Sequence, residues 1–118
     1  MKVTKCVNTY IIYVDYINVT INILTTPLCD SPQVVYGVQS DIYKMIVGLG
    51  QFFNPSHKNY MKLTSMNKIT KIAFDMCMLR CKLLEFYNKY HTINKDISCN
   101  DQLEILDTCV EVLERKMR

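Results

Sequence analysis

A chain of 118 residues is one domain by length and can bury a core without disulfide or metal staples, which become near-obligatory only below about 40 residues. Hydrophobic residues at 49% and charged residues at 21% exclude wholesale disorder. The formal net charge of +3 does not by itself point to nucleic acid; its distribution along the chain decides that.

The usage is skewed. Ile, Asn, Lys and Tyr are abundant, Ala73 is the sole alanine, and eleven Lys stand against three Arg. These are residues with AT-rich codons, which points to an AT-rich genome such as that of a large DNA virus or a parasite. Helix surfaces normally recruit Ala and Glu, so the bias reads as coding rather than structure.

From Ile17 to Ile23 the segment INVTINI alternates strictly, with Ile17, Val19, Ile21 and Ile23 on one face and Asn18, Thr20 and Asn22 on the other. Period-two alternation of β-branched residues predicts a half-buried antiparallel strand. Tyr10, Ile12 and Val14 share the opposite parity, so the switch at Asp15–Tyr16 predicts a β-hairpin or a bulge there. Thr25–Gln33 holds two prolines and reads as loop. Val34–Val38 reads as a possible third strand. Residues 1–38 thus form a β-rich part and 39–118 a helical part of a single domain.

Ser40 is placed as the N-cap of a first helix carrying Ile42, Met45, Ile46, Leu49 and Phe53, with Gly48 and Gly50 lowering its propensity. NPSHKN, Asn54 to Asn59, is a breaker. A long second helix starts near Thr64 or Ser65 and runs to about Tyr90. Its main apolar face holds Ile69, Ile72, Ala73, Met76, Leu79, Leu83, Phe86, Tyr87 and Tyr90. Lys68, Lys71, Asp75, Lys82, Glu85 and Lys89 lie opposite, and Thr70, Phe74, Cys77, Cys81 and Leu84 occupy the flank between. Ser98, with Asp101 three residues on, predicts the start of a third helix whose Leu103, Leu106, Val110, Leu113 and Met117 follow 3-4 spacing. The short loop between the last two helices predicts an antiparallel helical hairpin. The expected fold is therefore α+β: an N-terminal β-hairpin, with up to three strands, followed by three helices. A small all-helical fold is the neighbouring alternative, and it needs the N-terminal third to be helical against its alternation.

No apolar run reaches the ~20 residues of a membrane-spanning helix. Asn8, Asp15, Asn18 and Asn22 break up what a signal peptide would need as a clean apolar stretch. The expected location is cytoplasmic or nuclear, where thiols stay reduced.

Residues 58–95 hold eight basic and two acidic residues, and 96–114 hold six acidic and none basic. The simplest expectation is mutual neutralisation across the hairpin. The alternative is a basic nucleic-acid-binding region formed by Lys58, Tyr60, Lys62, Lys68 and Lys71.

Cys77 and Cys81 stand one helical turn apart, the most suggestive chemistry in the chain. A zinc site requires four ligands, and His91, Cys99 and Cys109 are the available partners at a spacing that matches no common zinc module. With the hairpin centred near residue 95, Cys81 faces Cys109, and a single interhelical bridge is the most that the spacing allows. A thiol-based metal or redox role is therefore kept as an alternative, and packing is the simpler reading. The histidines His57 and His91 fall in loops, and GLGQFF lacks the third glycine of a dinucleotide fingerprint. No catalytic, cofactor or metal residue is assigned.

What remains is a second apolar strip, Phe74, Cys77, Met78, Cys81 and Leu84, which one hairpin partner does not cover. The expected function is a small non-enzymatic protein-interaction module, a viral accessory or host-modulating protein, acting as a homodimer or by docking on a host protein through that strip.

Overall fold

The computed structural model describes the backbone of residues 2–93, 95 and 97–118, and their side chains from residue 12 onward. Four helices account for most of it: α1 (Lys2–Thr25), α2 (Pro32–Gln51), α3 (Met66–Tyr90) and α4 (Asn100–Met117). No strand occurs among the described residues.

The α+β expectation is thus corrected to an all-helical fold, and the N-terminal third is where it fails. Tyr13, Ile17 and Thr20 are all buried, and Leu24 packs at the edge of the core. Their 4-3-4 spacing is one face of a helix. Val19, which a strand would place beside Ile17, is 46% exposed while Ile17 is 2% exposed. Thr20, assigned by alternation to a polar face, is buried instead. Its hydroxyl donates to the Tyr16 carbonyl at 2.7 Å and lies 3.3 Å from Met45 Sδ. That i−4 bond lets a β-branched polar residue sit inside a helix contact. Of the first expected strand, Ile12 is exposed and Val14 half-buried, and the Tyr10 side chain lies outside the described residues.

The third expected strand, Val34–Val38, falls within the first two turns of α2. The helix begins nine residues before the expected Ser40 cap, at Ser31, with Pro32 at the first helical position, where its missing N–H is not needed. The later elements lie close to expectation. Ser65 is the N-cap of α3, and α4 starts after Cys99, one residue beyond the expected Ser98.

Contacts between the helices fix the topology. Tyr16 beside Gly48 and Thr20 beside Met45 make α1 and α2 antiparallel. Arg80 on Asp107 and Thr70 beside Met117 make α3 and α4 the antiparallel hairpin. Tyr13 beside Ile72, with Leu24 and Phe86 on a common wall, sets α1 parallel to α3. Gln39 Nε2 donating to the Ser98 carbonyl at 3.1 Å, with Gly50 against Ile105, sets α2 parallel to α4. Round the bundle the helices run α1, α2, α4, α3.

The step from α2 to α3 is consequently a diagonal, made by Phe52–Ser65 across one end of the bundle. Phe52, Phe53, Met61 and Leu63 are buried there. Met61 N–H donates to the Phe52 carbonyl at 2.7 Å, closing the connection on itself. Between them, Asn54 Oδ1 accepts from the Ser56 N–H, a side-chain turn that starts after the helix stops. Tyr13 meets both rings edge-on, with centroids 6.1 Å from Phe52 and 5.9 Å from Phe53. Such pairs add about 0.5–1.5 kcal/mol beyond area burial.

Helix and strand readings of the N-terminal third separate on two truncations. In the helix, Ile17→Ala destabilises by about 2–5 kcal/mol, whereas Val19→Ala stays within about 0.5 kcal/mol. Equal losses in denaturant melts of the two variants would contradict this packing.

Candidate functional site

α3 has neighbours on two sides, α1 and α4. Its buried stripe is Ile69, Ile72, Met76, Leu79, Leu83, Phe86 and Tyr90, and at 100° per residue the ridge opposite comprises Phe74, Cys77, Met78 and Cys81. Those four side chains are exposed, Phe74 to 59% and Met78 to 37%. Leu84, expected to share the strip, is instead half-buried and packed against the core. Lys71 Nζ sits 5.9 Å from the Phe74 ring centroid and 2.8 Å from Asp75 Oδ1. It fringes the ridge with positive charge at cation–π range.

Of the candidate nucleic-acid residues, Lys58 and Lys62 project from the diagonal connection, with Tyr60 half-buried between them. Lys68 and Lys71 lie exposed at the start of α3. All five therefore gather at the end of the bundle that the connection closes.

Neutralisation between α3 and α4 is partial. Arg80 Nε meets Asp107 Oδ1 at 2.9 Å across the helices. Lys71–Asp75, Lys82–Glu85 and Arg115–Glu111 instead lie within single helices. Exposed pairs of this kind contribute about 0–1 kcal/mol. Asp101, Glu104, Glu111 and Glu114 remain on the solvent face of α4.

A further site was not foreseen from sequence. Between the C-terminal half of α2 and α4 lies an open groove of about 600 Å³. Val47, Phe53, Ile105 and Val112 supply apolar walls, and Asp101 and Glu104 stand on one rim. Gly50 is the point of closest approach. A Cβ built there would lie 3.0 Å from Ile105 Cγ2, so the missing side chain lets the helices meet beside the groove. The one sequence signal for it was a glycine near the end of an apolar helical pattern, which marks close backbone approach as readily as low propensity. A smaller hollow of about 280 Å³, lined by Ile12, Asp15, Tyr16, Val19 and Met45, opens between α1 and α2.

Among the described residues the thiols divide by environment. Cys29, Cys77 and Cys81 are exposed, and Cys99 and Cys109 are buried. All five are free, so the single bridge allowed between Cys81 and Cys109 is not formed. Among the described residues no group of three or more His, Cys, Asp or Glu side chains is placed to hold a metal. Burial pushes the Cys109 thiol up to about 12 from 9.0. Cys99 is also raised by burial, against its own backbone hydrogen bond and the Arg80 charge, which lower it. Both therefore stay protonated where an ordinary thiol begins to ionise, and a thiolate is what nucleophilic or metal chemistry needs. Among the described residues no helix is long and apolar enough to cross a membrane.

The chain matches no family model. No curated protein and no solved structure shows significant similarity to it. The functional reading therefore rests on these surfaces.

The raised Cys109 value sets a pH dependence. The unfolded thiol ionises near 9 and the folded one near 12, so between them the unfolded state binds fewer protons and stability falls as pH rises. Urea midpoints should decline from pH 8.5 to 10.5, and Cys109→Ala should remove part of that slope. A slope unchanged by the substitution would contradict the assignment. In the same range Cys77 and Cys81 should react with a thiol reagent in the native state, and Cys109 only on unfolding.

Proposed function

We propose that this chain is a small non-enzymatic protein-interaction module that docks through the outer ridge of α3, on a second copy of itself or on a different protein. The observation that supports this is the exposure of Phe74 beside Met78, Cys77 and Cys81 on a helix whose opposite face is already filled by α1 and α4. Large apolar side chains grouped on one ridge favour association, because covering them removes apolar surface from water at roughly 25 cal/mol per Å². Phe and Met are suited to this role, the ring for its area and the thioether for its adaptability.

Sedimentation equilibrium at micromolar concentration tests the self-association form. Phe74→Ser with Met78→Ser should weaken any dimer by about tenfold or more while leaving the melting midpoint nearly unchanged, since exposed positions contribute within about 0.5 kcal/mol. A wild-type monomer throughout would remove the homodimer and leave the heterologous partner alone.

Nucleic-acid binding is the second reading, favoured by the exposure of Lys58, Lys62, Lys68 and Lys71 at one end of the bundle. Lys71 already faces Asp75, which reduces the charge available for phosphate. Binding to generic duplex DNA or RNA through these lysines should weaken steeply between about 50 and 200 mM salt. Absence of association at the lower salt would end this reading.

A further inference from the structure

The α2–α4 groove lies apart from the α3 ridge, and its chemistry is different. Its walls are apolar along Val47, Phe53, Ile105 and Val112, while its charged lining residues, Asp101 and Glu104, are both acidic. The rest of the exposed charge on α4 has the same sign up to residue 114, with Asp107 tied to Arg80 and Glu111 to Arg115. From Asp101 to Val112 the α4 wall extends about three turns, roughly 16 Å at 1.5 Å per residue.

We infer that this groove is a docking site for a basic amphipathic helix of another protein, about three to four turns long, with its apolar side against Val47, Ile105 and Val112 and its Lys or Arg side chains toward Asp101 and Glu104. Three observations argue for that occupant. One wall is α4 from Asp101 to Val112 and the other is the last turn of α2 with Phe53 and Asn54 of the connection, so apolar residues run along the groove for the length over which an added helix inserts residues at i, i+3, i+4 and i+7. The rim charge is single-signed, so a cationic segment is attracted and an anionic one is repelled. The groove is open to solvent and about 600 Å³ in volume, beside the point where Gly50 meets Ile105. Thr108, which also lines it, is exposed and has its hydroxyl committed to the Glu104 carbonyl at 2.9 Å. It therefore offers a place to block the groove without entering the core.

The test uses the full chain and two synthetic peptides of about 14 residues, both with Leu on one helical face. One carries Lys on the other face and its counterpart carries Glu. Fluorescence anisotropy at low ionic strength should show the Lys peptide binding at least about tenfold tighter than the Glu peptide. Amide shift changes should centre on Val47, Gly50, Ile105 and Val112. Asp101→Asn with Glu104→Gln should bring the two peptides within about threefold of one another, and Thr108→Trp should abolish binding of both. Equal affinity for the two peptides, shift changes centred on Phe74 and Met78, or unchanged binding by the Thr108→Trp variant would each overturn the inference. Loss of a dimer on Thr108→Trp would also overturn it, by showing that a second copy occupies the groove. Phe74→Ser, which tests the α3 ridge, should leave peptide binding unchanged, so the two readings fail separately.

Discussion

Tyr13 is buried where α1, α3 and the diagonal connection converge, and much of the architecture depends on that junction. A bundle whose second and third helices stand on opposite corners must carry chain across one of its ends. Polar backbone crossing an apolar end is tolerable only if side chains seal it and the backbone groups find partners. Phe52, Phe53, Met61 and Leu63 supply the seal, and the Met61-to-Phe52 hydrogen bond supplies a partner. Tyr13 joins this plug to α1 by two edge-on ring contacts, and its hydroxyl reaches 3.5 Å from the Ile72 carbonyl of α3. With that end closed, α2 is held beside α4 and α1 beside α3. The outer ridge of α3, the α2–α4 groove and the hollow between α1 and α2 are among the surfaces this arrangement leaves uncovered.

The C-terminal half of the fold was legible because its apolar period is long and unambiguous. Ile69, Ile72, Met76, Leu79, Leu83 and Phe86 repeat at three and four residues over five turns, which no strand can imitate. The buried seam of α4 differs slightly from the expected one. Gln102, Leu106, Cys109 and Leu113 form its buried line, with Leu103, Val110 and Met117 beside it. Counting Cys109 as the small hydrophobe that it is moves the seam to its observed place.

The N-terminal third misled for a reason that lies in the composition. In a chain this rich in Ile, Val, Tyr and Asn, β-branched residues fall at alternate positions without any pleat to require them. The competing signal was Tyr13, Ile17, Thr20 and Leu24, but it passes through a threonine that a polarity count discards. Its burial depends on two local partners, the Tyr16 carbonyl and the Met45 sulfur. Only the second is a tertiary contact, and it exists because α2 lies antiparallel to α1. The parity break at Asp15–Tyr16 was the visible symptom, since a true strand has no reason to change face in mid-course.

The two candidate surfaces differ in legibility for the same reason. The α3 ridge is a property of one helix, so angular position alone brings Phe74, Cys77, Met78 and Cys81 together. Leu84, placed by angle on the same flank, is instead half-buried against the core. The groove is a property of two helices fifty residues apart, and no local pattern links Val47 to Val112. Charge connects the two views. α4 carries acidic residues that pairing with α3 would have used up, yet the bridge seen between the helices is Arg80 to Asp107. Unused negative charge beside an apolar groove is costly to leave under any neutral cover, because the carboxylates would lose water without gaining a partner. A cover that brings its own positive charge avoids that cost, so the charge α4 does not use within the fold is itself a constraint on what can lie against it.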